Sequence, residues 1–96
     1  MLIVRVIGTT VSTIKDEKLK GKKLLVVQPT DESGKASGKP FVAVDTVDAG
    51  VGDLVLTAAG SNARQTTFTK DAPVDAVIMA VIDSLEVNGK VTFRKS

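Results

Sequence analysis

Cysteine, histidine, tryptophan and tyrosine are all missing from these 96 residues, and each absence closes off a class of chemistry. Without cysteine there is no disulfide framework, which excludes a small secreted scaffold held by staples. Without cysteine or histidine, zinc, haem and iron–sulfur sites lose their usual ligands. A cysteine nucleophile and a Ser-His-Asp triad fall with them. The aromatic content is three phenylalanines, Phe41, Phe68 and Phe93, with no clustered motif, so a platform for stacking bases is lacking. Long apolar runs are also scarce. The stretch Met1 to Ile7 is interrupted by Arg5 and stops at Gly8. It has neither the order of a signal peptide nor the length to cross a bilayer. A cytoplasmic chain with no membrane partner is expected.

What is present is ordinary for a folded domain: 43% hydrophobic and 25% charged residues, with a net charge of +2. The length allows one domain, read as residues 1–96, with no linker and no internal repeat. The mild basic excess permits nucleic-acid binding without arguing for it.

Valine, isoleucine and threonine fill short apolar runs bounded by Gly, Pro, Asp or Asn, the pattern of strands and turns. A first strand is predicted from Leu2 to about Thr13, bent at Gly8. Lys23 to Gln28, Phe41 to Asp45 and Leu54 to Ala59 follow as strands. Thr30 to Pro40 reads as an exposed connection, and Ala49-Gly50-Val51-Gly52-Asp53 as a tight turn. Ser61 is placed to cap one short helical turn. In Val74 to Leu85 helix competes with strand, and the β-branched content with Pro73 ahead of it favours strand. Asn88-Gly89 predicts a two-residue hairpin turn that returns Val91 to Arg94 as a last strand. The sum is an all-β fold, a small closed OB-like barrel of five or six strands with one short helical turn.

Leu24-Leu25-Val26-Val27 and Ala76 to Ile82 are apolar on both faces. A barrel uses one face for its core and leaves the other to be covered. The loops offer few apolar residues, so a neighbouring subunit is the expected cover.

These segments, taken in order, resemble the EutN/CcmL family. Thr10 to Lys15 is similar to the family's start, and Leu19 to Gln28 to its "L-x-G-x-K-L-L-x-V" segment. Val42-Ala43-Val44-Asp45 with Ala49-Gly50-Val51-Gly52-Asp53 resembles "V-A-x-D … G-A-G-x-G-[ED]". Val55-Leu56 through Gly60-Ser61-Asn62-Ala63-Arg64 resembles "V-L … G-S-x-A-R", and Pro73 to Ile78 with Val81-Ile82-Asp83 resembles "P-V-D-x-x-[IV] … [IV]-[IV]-D". One position departs: Asp48 stands where the family usually carries glycine. If that position needs positive φ, Asp still reaches it, at a cost relative to Gly.

The resemblance implies a structural protein rather than an enzyme. Specifically, it implies a homopentamer at the vertices of a polyhedral bacterial microcompartment such as a carboxysome or an ethanolamine-utilization compartment. Its partners would be the hexameric and trimeric shell proteins of the same shell, with no cofactor, metal or nucleic acid. It further implies a subunit interface built from Asp45, Gly50, Gly52, Gly60, Ser61, Asn62, Ala63 and Arg64. Arg64 would donate to a neighbour's carboxylate or carbonyl, and Asp45, Asp53, Asp75 and Asp83 all remain open as its partner. Without the resemblance, Gly60 to Arg64 is a capped turn carrying a solvated arginine. Lys15, Lys18 and Lys20 lie in a basic loop that is solvated by default and, in a shell, could face an adjoining protein. The alternative function is an OB-fold nucleic-acid-binding module.

Overall fold

A computed structural model describes residues 1–11, 17, 19–59 and 76–95. Seven strands lie among the described residues: β1 (Leu2–Thr9), β2 (Lys23–Pro29), β3 (Phe41–Asp45), β4 (Leu54–Ala59), β5 (Ala76–Val81), β6 (Ser84–Val87) and β7 (Lys90–Arg94). Five of them close into a barrel in the order β1-β2-β3-β5-β4, and β6 and β7 form a separate hairpin. Closure rests on a short parallel contact between β3 and β5, Val44 beside Val77 and Asp45 beside Ile78. All other barrel pairings are antiparallel.

Alternation fills the barrel. Val4 and Val6, Leu25 and Val27, Ala43, Val55, Ala76 and Ile78 point inward and form one core with Ala49. Phe41, Val47 and Val81, partly buried, pack against it. Each fully buried valine or isoleucine contributes roughly 1.5–3 kcal/mol relative to exposure.

Among the described residues, three register shifts break the alternation, each leaving one extra residue on one strand. They are Ile7 in β1 against β2, Met79 in β5 against β4, and Thr92 in β7 against β6. Such a bulge re-aims a side chain. The first lies beside Gly8, where a bend was expected.

Two expectations about strand limits are corrected. β1 ends at Thr9 rather than near Thr13. The Thr10 N–H and hydroxyl both bond to the Leu24 carbonyl, and Val11 beyond it is wholly exposed; Thr13 itself lies outside the described residues. The run up to Leu85 is also not one strand. The Ile82 N–H donates to the Leu54 carbonyl, its side chain is buried, and the chain turns out of the barrel at Asp83. Aspartate is a poor strand residue, and Leu85 belongs to the hairpin. Five strands close the barrel, as the expected barrel of five or six strands requires, and the described residues add the separate β6–β7 hairpin outside it. The helical turn expected at Ser61 lies outside the described residues.

Asn88 and Gly89 both have positive φ (53° and 79°), as a two-residue type I′ hairpin turn requires. The connection over Thr30–Pro40 is tied more closely than an open loop. Asp31 Oδ1 accepts from the Ser33 N–H, the Ser33 hydroxyl and the Lys35 N–H, and an isolated bridge pairs Thr30 with Ala36.

Candidate functional site

The turn after β3 is built on a buried carboxylate. Asp45 Oδ1 accepts from the Val47 N–H (3.0 Å) and Oδ2 from the Ala49 N–H (2.9 Å). Lys23 Nζ stands 3.3 Å from the same Oδ2. A charge taken out of water needs such partners, and the Asp45 side chain is only 1% exposed. Thr46 Oγ donates to the Ile78 carbonyl (2.7 Å), which ties the turn to β5.

Asp48, where the resembling family carries glycine, has φ 58°. The position does require the left-handed region. What accompanies an aspartate here is a second partner for Lys23: Nζ to Asp48 Oδ1 is 2.8 Å, and Nζ also donates to the Ala49 carbonyl. Hydrogen bonds to Asp48 and then Asp45 hold the Lys23 ammonium above its ordinary value, and the Lys23 bond holds Asp48 below the usual carboxylate value.

Gly50 to Asp53 closes the turn. The Asp53 N–H donates to the Gly50 carbonyl, Asp53 Oδ2 accepts the Gly50 N–H, and Gly52 has φ 97°. Positive φ at the third position is the requirement of a type II turn, which glycine meets without strain. The turn offers Val51, 64% exposed, to solvent. An open cleft of about 430 Å³ lies alongside, lined by Lys20, Lys22, Thr46 and the Lys23–Asp45–Asp48 group.

The structure thus gives Asp45, Gly50 and Gly52 clear duties within their own chain: Asp45 nucleates the turn and the glycines shape it. Lys20 is ion-paired with Glu17 at 2.7 Å on an exposed surface. Gly60, Ser61, Asn62, Ala63, Arg64, Lys15 and Lys18 lie outside the described residues.

In the sequence Arg5 is an interruption of the first apolar run, and the structure makes it a junction. Its Nη1 donates to the Gly52 carbonyl (2.9 Å) and its Nη2 to the Gly34 carbonyl (3.1 Å), and its guanidinium lies 5.8 Å from the centre of the Phe93 ring. One side chain therefore joins the β3–β4 turn, the β2–β3 connection and the terminal hairpin. Thr92 Oγ, re-aimed by its bulge, adds a bond to the Glu32 carbonyl (2.6 Å). The available signal was an arginine at an outward position of an otherwise apolar strand.

The outer face of the barrel carries the apolar residues flagged by the doubly apolar runs, and it divides. In one row Leu24 pairs with Val44, Val44 with Val77, and Val77 with Ala58. Val44 and Val77 are buried there, packed against Leu19 of the chain's own loop. For this row the expectation that a neighbour supplies the cover is corrected, because Leu19 reaches it. Elsewhere the outer face stays open: Val42 is 48% exposed, Ile7 43% and Met79 39%.

With this geometry in hand, comparison with known proteins is specific. A family model described as ethanolamine utilisation protein EutN/carboxysome matches residues 1–83. The chain is 44% identical over 95 residues to the carboxysome shell vertex protein CcmL of Synechococcus elongatus, covering 99% of this chain and 96% of that one. The structure of Gloeobacter violaceus CcmL is similar at TM-score 0.91 and 40% identity, covering 99% of this chain and 98% of the other. The GrpN pentameric microcompartment shell protein from Rhodospirillum rubrum is similar at TM-score 0.81 and 42% identity, covering 91% and 99%.

Proposed function

The chain belongs to the EutN/CcmL family, and from that premise we propose that it is a structural shell protein that closes into a homopentamer at the vertices of a bacterial microcompartment. Its role is to be a building block rather than an enzyme. The observation that carries this reading is the agreement of sequence and fold along nearly the whole chain with vertex proteins, including one described as pentameric.

The physical logic is one of closure. Hexagonal tiles alone give a flat layer, and pentagonal pieces introduce the curvature that seals a shell. A head-to-tail contact whose rotation closes gives a ring, and one that does not close gives a filament. On this reading the ring sits in the shell of a compartment within the cytoplasm. It adjoins hexameric and trimeric shell proteins, with Lys15, Lys18 and Lys20 available to that contact. Gly60 to Arg64 joins the subunit contact, with Asp45, Gly50 and Gly52 shaping the adjoining turn. Arg64 donates to an acceptor on the neighbouring chain.

The nucleic-acid alternative finds no support. Among the described residues, Phe41 packs against the core and Phe93 lies under Arg5, so neither of these two rings is free to stack on a base; Phe68 lies outside the described residues.

Native mass spectrometry of the isolated chain tests the reading, with a five-chain species as the expected mass. A well-behaved monomer at micromolar concentration overturns it, as does salt-dependent affinity for oligonucleotides. Arg64→Ala is expected to weaken the ring more than the barrel. If thermal unfolding shifts strongly while the ring mass is unchanged, that role for Arg64 is wrong.

A further inference from the structure

The open part of the outer face is not one patch. Across β1, β2 and β3 the outward residues Gly8, Val26 and Val42 lie in register, with Val26 between the other two. Ile7, the extra residue of the β1 bulge, lies next to this row. Across β1, β4 and β5 the outward residues Ile3, Leu56 and Ala80 lie in register, with Leu56 central. Met79, the extra residue of the β5 bulge, borders that row. Each row is half-buried at its centre and carries an exposed apolar side chain delivered by a bulge: Ile7 at 43% and Met79 at 39%, with Val42 at 48% beside the first.

We infer that these two rows are the two unlike halves of the subunit contact, the Ile7–Val26–Val42 face of one copy seating on the Ile3–Leu56–Met79 face of the next. The inference rests on the ring reading above and names the surfaces that make it.

Three observations support it. The faces differ in composition and share no residue, as a head-to-tail contact needs and a two-fold contact does not. They also flank β1. In the barrel order β1-β2-β3-β5-β4 their centres, β2 and β4, are two steps apart through β1 and three through β3 and β5. They are therefore not diametrically opposed, so a head-to-tail contact between them turns from copy to copy, as a ring requires and a straight fibre does not. Finally, Arg5 stands on β1 between Ile3 and Ile7, with its guanidinium held by the Gly52 and Gly34 carbonyls and against Phe93. The chain covers its own surface at the seam and leaves the two sides open. The occupant is a second copy because family relatives of the same fold assemble as pentamers.

The test uses two single variants of the full chain, Val42→Lys and Met79→Lys, each placing one charge on one face. Far-ultraviolet circular dichroism checks the β-fold, and native mass spectrometry reads the assembly. Alone, each variant is expected to lose the five-chain species. Mixed in equal amounts they are expected to give a two-chain species and stop there. The intact Met79 face of one variant docks on the intact Val42 face of the other, leaving two damaged faces. Should either lysine unfold the barrel, Val42→Thr and Met79→Gln read the same faces through a weakened ring. If the wild type is not a ring, the functional reading fails first. If the wild type is a ring and either lysine variant still assembles to five, the assignment of faces is wrong while the ring stands. It is equally wrong if both fold, both fail to assemble, and the mixture stays monomeric.

Discussion

At the scale of single residues, the turn after β3 concentrates the unusual chemistry. Asp48 adopts a left-handed backbone that glycine would adopt more easily, and its carboxylate bonds to Lys23. Replacing it separates the two effects. Asp48→Gly relieves the backbone and loses the bond, so it is expected to melt near the wild type. Asp48→Ala loses both and is expected to melt lowest, with Asp48→Asn between them. A melting order with alanine above glycine would remove backbone strain from the explanation. Asp45→Ala strips the partners from two N–H groups and from Lys23, and is expected to cost about 1–3 kcal/mol. A reduced urea midpoint at constant slope is the check.

The pH response follows from the same residues. Asp31 and Asp48 are held below their ordinary value of 3.8, Asp31 by the Ser33 side chain first and then by backbone N–H groups. Their contribution is therefore complete above that value and lost as pH falls through the lower folded values. Lys23 is held above 10.5, so its contribution is complete below that value and lost as pH rises past the higher folded one. With no histidine or cysteine in the sequence, no side chain titrates between roughly pH 5 and 9 in the ordinary course. Stability is expected to be flat there and to fall at both ends. Asp48→Asn should soften both edges, since it removes one partner of the pair.

At the scale of elements, the hairpin of β6 and β7 is the part least supported by the barrel. A lone two-stranded hairpin is marginal in water, and this one is held by Arg5 over the Phe93 ring, by Thr92 on Glu32, and by Lys95 near Asp53. Arg5→Ala is expected to cost about 1–2 kcal/mol and, more tellingly, to speed amide exchange across 84–95 while β2 and β3 stay protected. Uniform loss of protection would place Arg5 in the global core instead. Gly34 belongs to the same junction: it has φ 87°, and an added Cβ would meet Arg5 Nη2 at 2.6 Å. Gly34→Ala should reproduce the hairpin effect of Arg5→Ala.

At the scale of the whole molecule, a barrel with open apolar rows gains stability from its neighbours. The melting temperature is expected to rise with protein concentration, because assembly binds only the folded state. A melt independent of concentration across the range where the ring forms would show that the contacts add little to the fold.

The alternating strands, the glycine and asparagine turns, the bend at Gly8 and the membership of a ring-forming family were all legible in the residues, because each depends on local sterics, on period-two burial or on a specific string of side chains. The break between β5 and β6 was not. An apolar run looks the same to either strand, and only the Ile82 bond to Leu54, a partner 28 positions earlier in the chain, sets where the barrel ends. Leu19 sealing one outer row, Arg5 joining three loops, and Ile7 and Met79 turned outward by bulges likewise belong to the tertiary structure. Composition shows that apolar surface exists. Register, set by long-range pairing, decides which of it the chain covers itself and which it leaves open.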